Sequence, residues 1–188
     1  MELQAFLQKY PAGKTTPAAK ETIDKYKGLV PSALIELWEK QGFGKYGNGL
    51  IEIFNPDDFQ DTLARWLGRK VDNYVPIAIS AFGDLFYYRK LTETDEDVCY
   101  IDPQYRRINV CTWSLTDFFN DYLLSEENIT DFLRKNLFEQ AFEQNGELTN
   151  NEIYIFKLAF MIGGAEEIGN VDKGNAQVQL EILFQMGL

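Results

Sequence analysis

Four carboxylates, Glu93, Asp95, Glu96 and Asp97, crowd into the run Thr92-Glu93-Thr94-Asp95-Glu96-Asp97, a density that could hold a cation or meet a basic surface. The run lacks the glycine and the distal bidentate glutamate of an EF-hand loop. It therefore reads as a solvated loop or a docking surface for a basic partner ahead of a calcium site. Asp57-Asp58 is a second pair of acids, yet neighbours on a helix point about 100° apart and cannot share a substrate as an acid/base couple. Gly42-Phe43-Gly44-Lys45-Tyr46-Gly47-Asn48-Gly49 has the glycine content of a phosphate cradle. It lacks the Lys-Ser/Thr of a P-loop and does not follow a strand. The glycines are expected to let a loop cross tightly between a helix and a strand, with Phe43 and Tyr46 either covering the core or exposed for recognition.

The chain contains no histidine. That removes Ser-His-Asp and Cys-His catalysis and every His-bearing zinc site, and leaves only carboxylate chemistry, for which no convincing pair is present. The expectation is a protein without catalytic residues, metal or cofactor. Cys99 and Cys111 are too few for a secreted disulfide framework and fit a reducing compartment.

Helices and strands must position these residues. Thr16-Pro17 and Gly28 bound a helix over 17–27, and Pro31 to Lys40 places Leu34, Leu37 and Trp38 on one face of the next. Asn55-Pro56-Asp57-Asp58 is a helix start with a capping side chain, a proline at the first position and two acids at the positive end of the dipole. Phe59, Leu63 and Trp66 follow as its buried stripe. Leu50 to Phe54 reads as a strand. So do Val75 to Ser80, Asp84 to Arg89, Asp97 to Asp102 and Arg107 to Thr112, which short polar links join into an antiparallel meander. A hairpin centred on Tyr105 would set Cys99 directly opposite Cys111. From Ser114 the pattern predicts helices only, over 114–124, 128–144, 150–162 and 174–186, with Thr149-Asn150-Asn151-Glu152 in capping-box spacing. Trp38, Trp66 and Trp113 read as core. The fold class is α+β: N-terminal helices with an antiparallel meander over 1–113, then an all-helical part over 114–188 packed against it.

With 45% hydrophobic and 14% aromatic residues in 188, such a chain can bury an ordinary core without staples. No apolar run approaches the roughly 20 residues of a membrane-spanning helix, and the start has no signal-peptide pattern, so the expected location is the cytoplasm. Eighteen Lys and Arg against 29 Asp and Glu give a net charge of −11. The basic pairs Arg69-Lys70, Arg89-Lys90, Arg106-Arg107 and Arg134-Lys135 are scattered. Nucleic acid and anionic membranes are thereby disfavoured and a basic protein is favoured as partner.

Val30-Pro31, Leu37-Trp38, Gly42-Phe43-Gly44, Gly49-Leu50, Asn55-Pro56-Asp57-Asp58-Phe59, Trp66-Leu67 and Ala81-Phe82-Gly83-Asp84 resemble, in order and spacing, the GAD-like domain. Leu137-Phe138-Glu139, Gly146-Glu147-Leu148, Asn151-Glu152-Ile153-Tyr154, Gly163-Gly164 and Leu180 to Gln185 resemble the DUF1851-type C-terminal domain paired with it. Where many relatives carry His-Leu near the last helix, this chain has Gln179-Leu180. The two-part arrangement is similar to the immunity proteins, of the Tdi1 kind, that neutralise type VI secretion DNase effectors. The resemblance implies a cytoplasmic, non-catalytic protein that binds a cognate toxin, a basic nuclease, by occlusion. Phe43, Tyr46, Glu93, Asp95, Glu96 and Asp97 are the candidate contact residues. A different reading is a regulatory or ligand-sensing module on the plan of SMI1/KNR4-like proteins, which a small-ligand pocket beneath the glycine loop would favour.

Overall fold

A computed structural model describes residues 1–69 and 72–187; Lys70, half of the Arg69-Lys70 pair, lies outside the described residues. The architecture is α+β. Seven strands form one antiparallel sheet in chain order: β1 (Ala12–Thr16), β2 (Phe43–Tyr46), β3 (Ile51–Ile53), β4 (Tyr74–Ser80), β5 (Leu85–Lys90), β6 (Glu96–Asp102) and β7 (Arg107–Thr112). The expected meander is present as β4 to β7.

Both faces of the sheet are covered, which explains why Leu85 to Tyr88 is apolar without a break. Phe86 and Tyr88 enter one core with Val75, Ile77 and Val98, whereas Leu85 and Tyr87 enter a second with Ile79, Cys99 and Ile101. Helices α1 (Gln4–Lys9), α2 (Lys20–Tyr26), α3 (Ser32–Lys40), α5 (Leu115–Asn120) and α6 (Lys135–Asn145) pack on the first face. Helices α4 (Gln60–Trp66) and α7 (Ala176–Met186) cover the second. Because Leu115, Phe118, Phe119 and Phe138 share the first core with Leu34 and Trp38, residues on either side of position 113 contribute to one interior.

Local signals and structure diverge at identifiable points. Thr16 closes β1 rather than capping a helix, and α2 begins three residues after Pro17. Asn55 does cap, its side chain accepting from the Asp57 N–H at 3.2 Å, but the proline opens a single 3-10 turn that hands over to α4. The glycine-rich stretch contains a strand, β2. Gly44 sits at φ 149°, and a Cβ there would lie 2.4 Å from the Lys14 carbonyl oxygen, so only glycine lets β1 approach this closely.

The largest correction falls on 150–162, where Glu152–Phe156 is strand β8, paired with β9 (Val171–Asn175). The C-terminal part is thus helices around a two-stranded hairpin. Ile153 points into the second core and Tyr154 and Phe156 into the first, an alternation of period two. The capping-box spacing is used by a turn: the Thr149 N–H donates to Glu152 Oε2 at 2.9 Å while Asn151 takes φ 63°, a left-handed value that no helix propagates. Residues 128–144 likewise split into a π-helical turn, Asn128–Phe132, and α6, with Arg134 at φ 55° between them.

Candidate partner-binding surface

The acidic run of the β5–β6 connection divides into two outward and two inward carboxylates. Glu93 is exposed and reaches Lys90 at 2.9 Å, and Asp95 closes the loop by accepting from Thr92 Oγ1 at 2.7 Å. Glu96 ties the sheet to α5, accepting from the Tyr88 hydroxyl and from the Leu115 N–H, each at 2.8 Å. Asp97 has no exposed surface; it takes Arg89 Nε at 2.7 Å and a second guanidinium bond, a fork that neutralises it inside the sheet. Of the four, only Glu93 and Asp95 are exposed enough to meet another molecule.

The aromatic candidates part in the same way. Tyr46 is fully buried, its hydroxyl donating to the Gly42 carbonyl at 2.6 Å and its ring 5.6 Å from Phe6, so it is a core residue and cannot serve as a surface anchor. Phe43 is half-buried against Trp38. Both lie on β2, three strand spacings or roughly 14 Å from β5, so the aromatic and acidic candidates do not form one patch. Trp113, read as core, is 71% exposed. The cysteines are not opposed either: Cys99 pairs with Val110 and Val98 with Thr112, leaving Cys111 as the extra residue of a β-bulge. Both thiols are free, and they pack on different cores.

Two buried ion pairs that sequence reasoning missed bind the N-terminal sheet to the C-terminal part. Lys45 donates to Glu52 Oε2 at 2.7 Å and to the Glu152 carbonyl at 2.5 Å, while Glu52 Oε1 accepts from the Asn151 N–H at 2.9 Å. Burial pushes the Lys45 ammonium down from its ordinary value, against the pull of Glu52. Arg134 donates to Asp84 and to Glu166, each at 3.1 Å, and Asp84 also accepts from the Ser80 hydroxyl at 2.6 Å. Burial pushes the Asp84 carboxyl up, with Arg134 opposing it. The faint signals were a Lys and a Glu on two adjoining strands and an Asp in a Gly-Asp turn, none of which names its distant partner.

Along the seam between these parts run two grooves that meet at Asn48. One, of about 450 Å³, has Leu50 and Phe138 among its lining residues together with Lys9, Lys135, Glu139 and Glu143. The other, of about 610 Å³, is bordered by Lys14, Lys45 and Glu147. The groove acids belong to a wider asymmetry. Residues 114–188 hold 13 acidic and 4 basic residues, net −9, whereas residues 1–113 hold 16 and 14, net −2. In the grooves themselves Lys9, Lys14, Lys45 and Lys135 stand beside Glu139, Glu143 and Glu147, so most of the acidic excess of residues 114–188 lies outside the groove linings. Among the described residues no group of three His, Cys, Asp or Glu side chains is placed to hold a metal ion, and no helix is long and apolar enough to cross a membrane.

Comparison with known proteins adds three findings. A family model described as the GAD-like domain matches residues 2–99, and one described as "T6SS immunity protein Tdi1, C-terminal" matches residues 114–187. The crystal structure of Atu4351 from Agrobacterium tumefaciens superposes with a TM-score of 0.74 at 17% identity, over 95% of this chain and 86% of that one, which is a likeness of fold. No curated protein matches the sequence.

Proposed function

The chain belongs to the GAD-like domain family, and from that premise we propose that it is a non-catalytic, cytoplasmic immunity protein that binds a cognate type VI secretion toxin of the nuclease kind and neutralises it by occlusion. The observation that carries this reading is the Tdi1-type match over 114–187, which supports an immunity role and falls on the part that holds −9 of the −11 net charge. A nuclease groove that takes phosphate backbones is basic, and an acidic face over it competes with the substrate on the substrate's own electrostatic terms. In this reading residues 1–113 and 114–188 are two modules. The toxin docks along their seam, with Glu139, Glu143 and Glu147 supplying charge and the Glu93 and Asp95 loop a second, separable contact.

The test is reconstitution with the product of the adjacent gene: complex formation, then that product's DNA cleavage with and without this chain. Replacing Glu139, Glu143 and Glu147 by Gln should weaken binding and flatten its salt dependence, whereas Glu93→Gln with Asp95→Asn tests the loop alone. A complex that leaves cleavage untouched would defeat occlusion, and unchanged affinity in the triple variant would move the docking surface elsewhere. The meeting of two grooves at Asn48 of the glycine-rich stretch favours one alternative, a ligand-sensing module of the SMI1/KNR4-like plan, since their volumes fall within the ~300–1,000 Å³ of small-molecule sites. Thermal stabilisation by a metabolite library in the absence of any toxin is its signature.

A further inference from the structure

The sheet has two free edges, and they are built differently. The β1 edge is guarded in the usual manner: it carries Lys14 and an irregularity of register between Ala12 and Thr15. The β7 edge is six residues long and presents Ile108 and Val110, 47% and 40% exposed, with Tyr105 and Trp113 exposed just beyond its ends. Ile108 and Val110 lie opposite Ile101 and Cys99 of β6, on the face that forms the second core. The apolar layer of that core therefore runs out uncovered at the edge.

We propose that β7 is the contact of a two-fold symmetric dimer, in which it pairs antiparallel with β7 of a second copy to continue the sheet across both chains. The pattern of the strand is self-complementary. A two-fold axis through Asn109 sets Ile108 against Val110 of the second copy, and Val110 against Ile108, so both exposed aliphatic residues find an apolar neighbour on the same face. The same register opposes Arg107 to Cys111 and not to its own copy, which avoids a like-charge contact. Charge permits this place. Residues 103–116 contain no acid and two arginines, so in a chain of net charge −11 the pairing brings no two acids of this segment together across the axis. Arg106 is already engaged, donating to the Leu183 and Phe184 carbonyls at 3.2 Å, and so does not crowd the edge.

The experiment is sedimentation velocity on the full chain over a concentration series, paired with crosslinking through one introduced cysteine in a chain carrying Cys99→Ser and Cys111→Ser. The expected result is a dimer whose mass halves in Ile108→Lys and in Val110→Lys, with far-UV circular dichroism and melting temperature preserved because both positions are exposed. Asn109→Cys, on the axis, should oxidise to a covalent dimer, while Lys14→Cys on the guarded edge should stay monomeric. A chain that is monomeric throughout the series, or an Asn109→Cys variant that crosslinks no faster than Lys14→Cys, overturns the proposal. Loss of toxin binding in Ile108→Lys, by a chain that is itself monomeric, overturns it too and assigns the edge to a strand of the toxin.

Discussion

At the scale of single residues, Glu52 shows how polar groups hold this molecule together. One oxygen takes Lys45 and the other takes the Asn151 backbone, so the buried carboxylate is fully used. Lys45→Met strands that charge and should cost about 3–5 kcal/mol in urea unfolding, most of which the further change Glu52→Leu should restore, because a well-packed apolar pair replaces a buried ion pair at little loss. Asp57 supplies a pH handle. Burial acts to raise its carboxyl, but hydrogen bonds from Lys25 and Tyr26 outweigh it and hold the pKa below the ordinary 3.8. The stability it contributes is present above that value and lost as pH falls through the lower folded one. Acid titrations of Asp57→Asn should therefore show less destabilisation below about pH 4 than the parent chain. Legibility at this scale follows locality. The Asn55 cap and the solvated Glu93 needed only neighbours in sequence, whereas the burial of Asp97 and Tyr46 depends on Arg89 eight residues away and on Phe6 forty residues away.

Among the elements, β4 to β7 were readable because each is short, rich in β-branched or aromatic residues and bounded by turn residues, while β8 was not. Its run Ile153 to Phe156 is apolar at every position, a pattern that helix and doubly buried strand share, and the cap-like Thr149-Glu152 spacing tipped the reading toward helix. What decides is tertiary: the Tyr154 N–H bonds to the Ala81 carbonyl at 2.8 Å, and Phe156 stacks on Phe82 at 5.5 Å. The bulge at Cys111 was equally invisible, since a single added residue leaves composition untouched while turning the thiol to the other face. Burial pushes the Cys99 thiol up to about 11 and the Cys111 thiol well above its ordinary range. Iodoacetamide at pH 8 should label neither in the folded chain within the time that labels both in denaturant, and non-reducing mass spectrometry should find no intramolecular disulfide.

For the whole molecule, the first core draws residues from Leu3 to Val171, so the two modules recognisable as sequence families are not two independent solids. A chain cut at residue 113 exposes the apolar face that Phe118, Phe119 and Phe138 cover. It should show weak near-UV circular dichroism, bind a hydrophobic dye and melt without a cooperative transition. The Lys45, Glu52 and Asn151 junction also imposes a schedule on synthesis. The β1–β7 segment leaves the ribosome some forty residues before the backbone amide that Glu52 uses, so a nascent chain lacks this junction until the β8–β9 hairpin emerges. Ribosome-stalled chains should stay open to limited proteolysis when halted at residue 140 and become resistant once the full length has cleared the exit tunnel, which makes the last module the timekeeper of the first.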